Sequence, residues 1–278
     1  MLSKSLGSLF ALAIVPALAQ VPNLPASPQN VSVVTPRQHA PRRVYGLVPE
    51  RVEGNVTVSD STNWSGYAVT GSSFTTAKGS WTVPTVNCTK TPNTYAAFWV
   101  GIDGWTSTTV EQTGTDSDCD GKSPSYYAWY EFYPNPSELI SSVAVAPGDQ
   151  MSASVTYSGT EFTITITNET TGKSYSKSGK VSGAKRSSAE WIAEAPCCTN
   201  SGGILPLADF GTVDLGDDHT GISGTNDATD SSVSGPIGDF GSAIQEAIMV
   251  NGSTGADEAV PSALSSDGTS FTVAWDSE

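Results

Sequence analysis

Histidine is nearly missing from this chain. Two occur in 278 residues, His39 and His219, and His219 sits in the polar run Gly216-Asp217-Asp218-His219-Thr220. Ser–His–Asp or Cys–His catalysis needs an imidazole beside an activated nucleophile. No G-x-S-x-G run is present either, so acid–base work must fall to carboxylates, assisted by amides. Metal-binding spacings are also lacking: there is no C-x-x-C and no H-E-x-x-H. Asp116, Asp118 and Asp120 come without the glycine and glutamate of a calcium loop and read as acidic turns. No metal and no cofactor is expected. Lysine and arginine are scarce, 13 against 28 Asp and Glu, net −15. A surface this negative repels phosphate backbones and anionic lipids, which excludes nucleic acid and membrane surfaces as partners. No apolar run approaches the ~20 residues that span a bilayer. With 27 Gly, 17 Pro and little Lys or Glu, a helical bundle is excluded as well.

Three segments differ in composition. Residues 1–19 read as a secretory signal: Lys4 gives the positive start, Leu9 to Val15 the apolar stretch, and Ala17-Leu18-Ala19 the small-residue cleavage site. Export to the extracellular space is the expectation. Six N-x-S/T sequons, at Asn30, Asn55, Asn63, Asn87, Asn168 and Asn251, agree with that route, with only some expected to carry glycans. Residues 20–54 are rich in proline and hold Arg37, Arg42, Arg43 and Arg51. The first 53 residues carry five Lys or Arg against two acids, net +3, and the remainder eight against 26, net −18. A basic leader beside an acidic body is read as a removable prosegment rather than a mere linker. Its arginines are expected to bind a carboxylate-rich cleft until acid protonates the carboxylates. Residues 55–278 form the body.

The body reads as short strands between turns. Phe162-Thr163-Ile164-Thr165-Ile166-Thr167 alternates with period two, and a polar turn over residues 168–173 precedes Ser174-Tyr175-Ser176. Similar runs surround residues 80–83, 151–157 and 269–275. Residues 242–249 suit a helix or a strand about equally. The pattern predicts an all-β single domain, a sandwich of two large antiparallel sheets. Four cysteines in an exported chain favour disulfides. Cys88 with Cys119 is the expected long-range bridge, while the adjacent Cys197 and Cys198 either form a vicinal disulfide or pair elsewhere.

Three segments carry chemistry. The first runs from Phe98-Trp99-Val100-Gly101-Ile102-Asp103-Gly104 to Glu111-Gln112-Thr113-Gly114-Thr115-Asp116. In the second, Tyr127, Trp129, Glu131 and Tyr133 share one strand face and Tyr126, Ala128, Tyr130 and Phe132 the other. A carboxylate among rings on one face suits a substrate groove; a two-sided aromatic core with a buried acid is the alternative. In the third, Glu190, Ile192 and Glu194 point the same way if extended, either toward a groove or onto a solvated edge. By themselves these residues also suit a carbohydrate-binding sandwich, with Trp99, Trp129 and Tyr133 stacking on sugars. A glycosidase with paired carboxylates such as Glu131 and Glu194 is a further alternative.

Asn63-Trp64-Ser65-Gly66-Tyr67-Ala68, the Trp99 to Gly104 run, Gln112-Thr113-Gly114, Trp129-Tyr130-Glu131, Ala189 to Glu194 and Ala208-Asp209-Phe210-Gly211 follow one another as in the glutamic peptidases (eqolisins). The chain resembles that family of secreted acid endopeptidases from about residue 63 to 210. The resemblance implies a two-sheet sandwich, protein and peptide substrates, and a single chain that needs no partner subunit. It assigns the catalytic glutamine to Gln112 and the catalytic glutamate to Glu194. Trp64, Gly66, Trp99, Gly104, Trp129, Glu131 and Tyr133 align around the substrate cleft, with Asp103 and Asp116 at nearby acidic positions. One departure is Ala195-Pro196-Cys197 where the family commonly has Asp-Phe-Glu, which bears on subsite shape.

Overall fold

The computed structural model describes residues 34–44, 50–198 and 203–277; the signal at residues 1–19 lies outside them. The chain lays down β1 (Arg51–Glu53), β2 (Val56–Ser61), β3 (Trp64–Thr70), β4 (Thr76–Thr82), β5 (Ala97–Ile102), β6 (Val110–Asp120), β7 (Ser123–Tyr133) and β8 (Glu138–Leu139). Then come β9 (Gln150–Ser158), β10 (Glu161–Asn168), β11 (Lys173–Gly179), β12 (Ser188–Glu194) and β13 (Thr212–Gly216). After a four-residue helix, α1 (Asp217–Thr220), follow β14 (Asp227–Thr229), β15 (Ser234–Pro236), β16 (Ile244–Val250), β17 (Asp257–Pro261) and β18 (Ser270–Trp275).

The expected sandwich is present. Its front layer runs β1–β2–β16–β3–β12–β5–β6–β7–β8. The back layer runs β17–β18–β13–β4–β9–β10–β11, with the β14–β15 hairpin on β4. The pairs are antiparallel except β16 with β2. A bulge between Met249 and Val250, where β16 meets β17, joins the layers at one corner. Residues 244–250 are therefore strand, which resolves the ambiguity in that stretch: Ile244, Ala247, Met249 and Val250 are buried between neighbours that propensity alone does not reveal.

Alternation builds the core. Phe162, Ile164 and Ile166 of β10 point inward and the threonines between them outward. Phe98, Val100, Trp191, Val155 and Trp81 fill the space between the layers. Two indoles also tie the layers by hydrogen bonds: Trp81 Nε1 donates to Thr115 Oγ1 (2.9 Å), and Trp191 Nε1 to the carbonyl of Lys78 (2.6 Å). Disulfides link Cys88 to Cys119 and Cys197 to Cys198. Asn63 and Asn168, two of the sequons, are fully buried and hydrogen-bonded in the fold, whereas Asn55 and Asn87 are exposed.

One glycine is fixed by close approach. Gly66 sits at φ +138°, and a Cβ there would run into the carbonyl oxygen of Trp191 on β12. Strain and overlap act together, so Gly66→Ala should cost more than ~3 kcal/mol in urea unfolding. Gly172→Ala, in open space at φ +67°, should cost about 1 kcal/mol. Equal costs would contradict the packing.

Several acids are inside. Glu111 and Glu190 are fully buried. Burial, reinforced by the nearby Asp103, pushes Glu111 up to about 9 and Glu190 well above the carboxylate range. The folded state therefore holds these protons more tightly than the unfolded chain. Stability is full below about 4.5 and is lost as pH climbs toward 9, on the order of 1–3 kcal/mol for one such group between pH 4.5 and 7. The melting temperature should fall from pH 4.5 to 7, and Glu111→Gln should flatten the slope. A melting temperature rising over that range would contradict the assignment.

Candidate active site

β12 lies between β3 and β5 in the front layer. Its alternation sends Ala189, Trp191 and Ala193 into the core and leaves Glu190, Ile192 and Glu194 on the outer face. Both acids are buried, so this is no solvated edge. Cross-strand register adds Trp64 from β3, Trp99 from β5, Gln112 and Asp116 from β6, and Tyr127, Trp129 and Glu131 from β7 to the same face. The face-sharing expected for β7 thus holds. Trp64, Trp99, Trp129, Tyr127 and Ile192 form a second apolar cluster outside the main core, with the half-buried Tyr133 packed against it.

The two candidate catalytic side chains are held from different sides. Trp99 Nε1 donates to Glu194 Oε2 at 2.7 Å. Gly101 makes room for that indole, since a Cβ there would lie 3.0 Å from the ring. Gln112 Nε2 donates to Glu131 Oε2 at 2.9 Å. Burial pushes Glu194 up to about 8, against the lowering effect of the N–H groups that reach it. Glu131 is raised well above the usual range, by burial first and by the Glu194 charge second. Asp116 and Asp118 flank the Tyr127 hydroxyl at 2.6 and 2.9 Å. The hydroxyl has one proton for two carboxyls, so the trio is best satisfied when one carboxyl is protonated, and burial raises both.

The trough between these groups is filled by the chain's own leader. Cys197 N–H donates to the carbonyl of Gln38 (2.9 Å). His39 N–H donates to Glu131 Oε2 (3.2 Å), and Ala40 N–H to Glu194 Oε1 (3.1 Å). Glu131, which holds the Gln112 amide, and Glu194 thus meet successive N–H groups of the leader. The Ala40 carbonyl accepts from Trp64 Nε1 (3.1 Å) and Asn63 Nδ2 (3.3 Å). The His39 ring is fully buried, stacked on Trp129 at 3.6 Å between centroids. Nδ1 lies 3.4 Å from Glu194 and Nε2 3.6 Å from Asp116. Further on, Arg42 N–H donates to the Gly104 carbonyl (3.1 Å) and Arg43 N–H to Asn63 Oδ1 (2.7 Å).

Some expectations need correction. Asp103 does not line the trough. At φ +72° its carboxylate turns into a loop and accepts the backbone N–H groups of Lys185, Arg186 and Ser187, so it ties β5 to the segment before β12. Gly66 and Gly104 serve by closeness rather than contact: a Cβ at Gly104 would press on Val110 and Trp64. Asp116 and Asp118 lie within β6, not in a turn, because the turn falls at residues 121–122. Of the leader's arginines, Arg37 meets a carboxylate, Asp118 at 3.3 Å, while Arg42 bonds Ser59 and lies over Trp105. The side chain between two carboxyls is His39, which is not among the expected site residues. Asn63, Asp118 and Tyr127 were also passed over as site residues; the only signal was the position of Asn63 beside Trp64 and the face that Tyr127 shares with Glu131.

The profile of the peptidase A4 family matches residues 62–260. Aspergillopepsin-2 of Aspergillus niger is 31% identical over 232 residues, covering 74% of this chain and 81% of the relative. Scytalidopepsin B of Scytalidium lignicola is 38% identical over 157 residues, 53% of this chain and 58% of the relative. Among solved structures, a scytalido-glutamic peptidase with a transition-state analogue inhibitor superposes with a TM-score of 0.63 at 30% identity, covering 77% of this chain and 98% of that one. Aspergilloglutamic peptidase from Aspergillus niger gives 0.54 at 29% identity, covering 66% and 99%. Fold and kinship agree: this chain belongs to the peptidase A4 family, the glutamic peptidases, and is a hydrolase of peptide bonds.

Proposed function

We propose that this protein is the precursor of a secreted, monomeric acid endopeptidase in which Glu194 and Gln112 activate a water, with the basic leader as its own inhibitor. The observation that carries this reading is the leader's backbone, whose N–H groups at residues 39 and 40 meet Glu131 and Glu194 in succession. A groove that holds an extended chain by its backbone suits peptides of varied sequence. Related structures have been solved with a peptide-based transition-state analogue and with the tripeptide Ala-Ile-His, which supports peptide occupants for the corresponding trough.

In this mechanism Glu194 ionises in the open cleft, where its ordinary acidity suits an acid medium. A substrate then covers it. Desolvation raises its affinity for a proton, in the direction seen under the leader, and the carboxylate becomes a stronger base toward a water held beside it. That water attacks the scissile carbonyl. One amide hydrogen of Gln112 is anchored on Glu131, and the second is free to meet the developing oxyanion. Glu194 finally passes its proton to the leaving nitrogen. Glu190 is the register neighbour of Gly101 and hence of Gln112, yet the leader's amide meets Glu194, which favours Glu194 as the base.

The test is hydrolysis of denatured globin near pH 3, with pepstatin present to silence contaminating aspartic peptidases. Gln112→Ala should cost at least ~100-fold, since one oxyanion donor is worth ~2.7–4 kcal/mol. Glu194→Gln should cost ~100-fold or more, while both variants remain folded. Glu190→Gln losing activity while Glu194→Gln kept it would move the base by one face-mate. Retention on polysaccharide without peptide release would point to a sugar-binding sandwich instead.

A further inference from the structure

The leader does more than cover the trough, because one of its peptide bonds lies against the proposed base. The nitrogen of the His39–Ala40 peptide lies 3.1 Å from Glu194 Oε1. The carbonyl beyond it is fixed by Trp64 and Asn63, and the one before it by the Cys197 N–H. A bond held on both sides, with its nitrogen 3.1 Å from the carboxyl that the mechanism uses, lies within reach of hydrolysis. What opposes hydrolysis is the His39 ring. Glu194 Oε1 is taken by Ala40 and Oε2 by Trp99, with imidazole Nδ1 3.4 Å from Oε2. A water acting through this carboxylate would need to sit ~2.6–3.2 Å from it, in the space that the ring fills.

We propose that the His39 imidazole stands in the place of the attacking water and keeps the leader intact, and that His39–Ala40 is the bond the enzyme cuts in itself once that ring is displaced. This inference rests on the leader being the inhibitor. Hydrolysis adds the oxygen of water to the carbonyl carbon of His39. One proton passes through Glu194 to the nitrogen of Ala40, and the C–N bond breaks, leaving a carboxylate on His39 and an amine on Ala40.

The contacts of the ring agree with a displaceable plug. It is held by its stack on Trp129, and neither ring nitrogen has a hydrogen-bond partner among the described residues. The groups facing it are Asp116 of β6, Glu194 of β12 and, at its backbone, Glu131 of β7, with Asp118, Tyr127 and Arg37 one step beyond. Burial holds the imidazole down to about 4 and raises the surrounding carboxyls. As pH falls, protonating the ring loosens the leader while protonating the carboxyls tightens it. The two act in opposite directions, so the argument stands on the space the ring occupies.

Two variants of the full chain separate that space from charge. His39→Ala removes the ring; His39→Phe keeps a stacked ring without its nitrogens. Both are incubated beside the wild type at pH 5, each also in a Glu194→Gln background, and N-terminal sequencing follows the cut. His39→Ala should release a chain beginning Ala40-Pro41-Arg42 at least ten times faster than wild type. His39→Phe should stay as slow as wild type, and Glu194→Gln should abolish the cut in all. His39→Ala remaining uncut, cutting elsewhere, or His39→Phe being cut as fast as His39→Ala would each overturn the proposal. Globin hydrolysis by the same samples separates the two layers of the reading. Full activity of the uncut wild type would remove the inhibitory leader itself, whereas a latent wild type with an equally latent His39→Ala would remove the plug alone.

Discussion

A carboxyl group in the middle of a sheet takes its solvation from whatever lies over it. Glu194 has β3 and β5 on either side and the hydrophobic core behind, so water reaches it from the trough alone. Fill the trough with a peptide, and its charge loses that hydration. The remaining features follow from this constraint. Trp99 must reach across Gly101 to donate to it. Gly66 must let β3 approach β12 closely. Whatever lies in the trough must offer backbone N–H groups in exchange for water. Proton affinity at Glu194 is thus coupled to occupancy, and an extended chain is the occupant that the exchange suits best.

The same coupling gives the acidic composition a second meaning. Part of the negative count lies inside the protein rather than on its surface: Asp103, Glu111, Asp116, Asp118, Glu131, Glu190 and Glu194 are all buried. Asp103 accepts three backbone N–H groups. Glu111, Asp116, Asp118, Glu131, Glu190 and Glu194 are raised by burial and take up protons as the medium acidifies. An interior arranged in this way is at ease in acid and under stress near neutrality. It also fits the side chain found at the centre of the trough, His39, between Asp116 and Glu194. Buried acids that favour the protonated form are poor counter-ions, and a neutral ring packed against tryptophan fits among them with less cost than a guanidinium.

Much of this was legible in the sequence because strands encode one face directly. Period-two alternation placed Tyr127, Trp129, Glu131 and Tyr133 together, and likewise Glu190 with Glu194. Which strands lie side by side is not encoded locally, so the meeting of Gln112 with Glu131, or of Asp116 with Tyr127, depends on register between distant segments. The parallel pairing of β16 with β2 is equally non-local. Asp103 was misread for a different reason: a positive φ turns its side chain out of the alternation that the neighbours obey. The place of His39 is not encoded locally either, because the leader carries it into the site.

The most direct test is the titration of the Glu194 carboxyl carbon by NMR in selectively labelled protein, with the leader in place and after its removal. The account predicts a midpoint near 8 in the covered protein and a fall into the acid range once the trough is open. An identical midpoint in both forms would show that occupancy does not control this group, and the coupling on which the mechanism depends would be wrong.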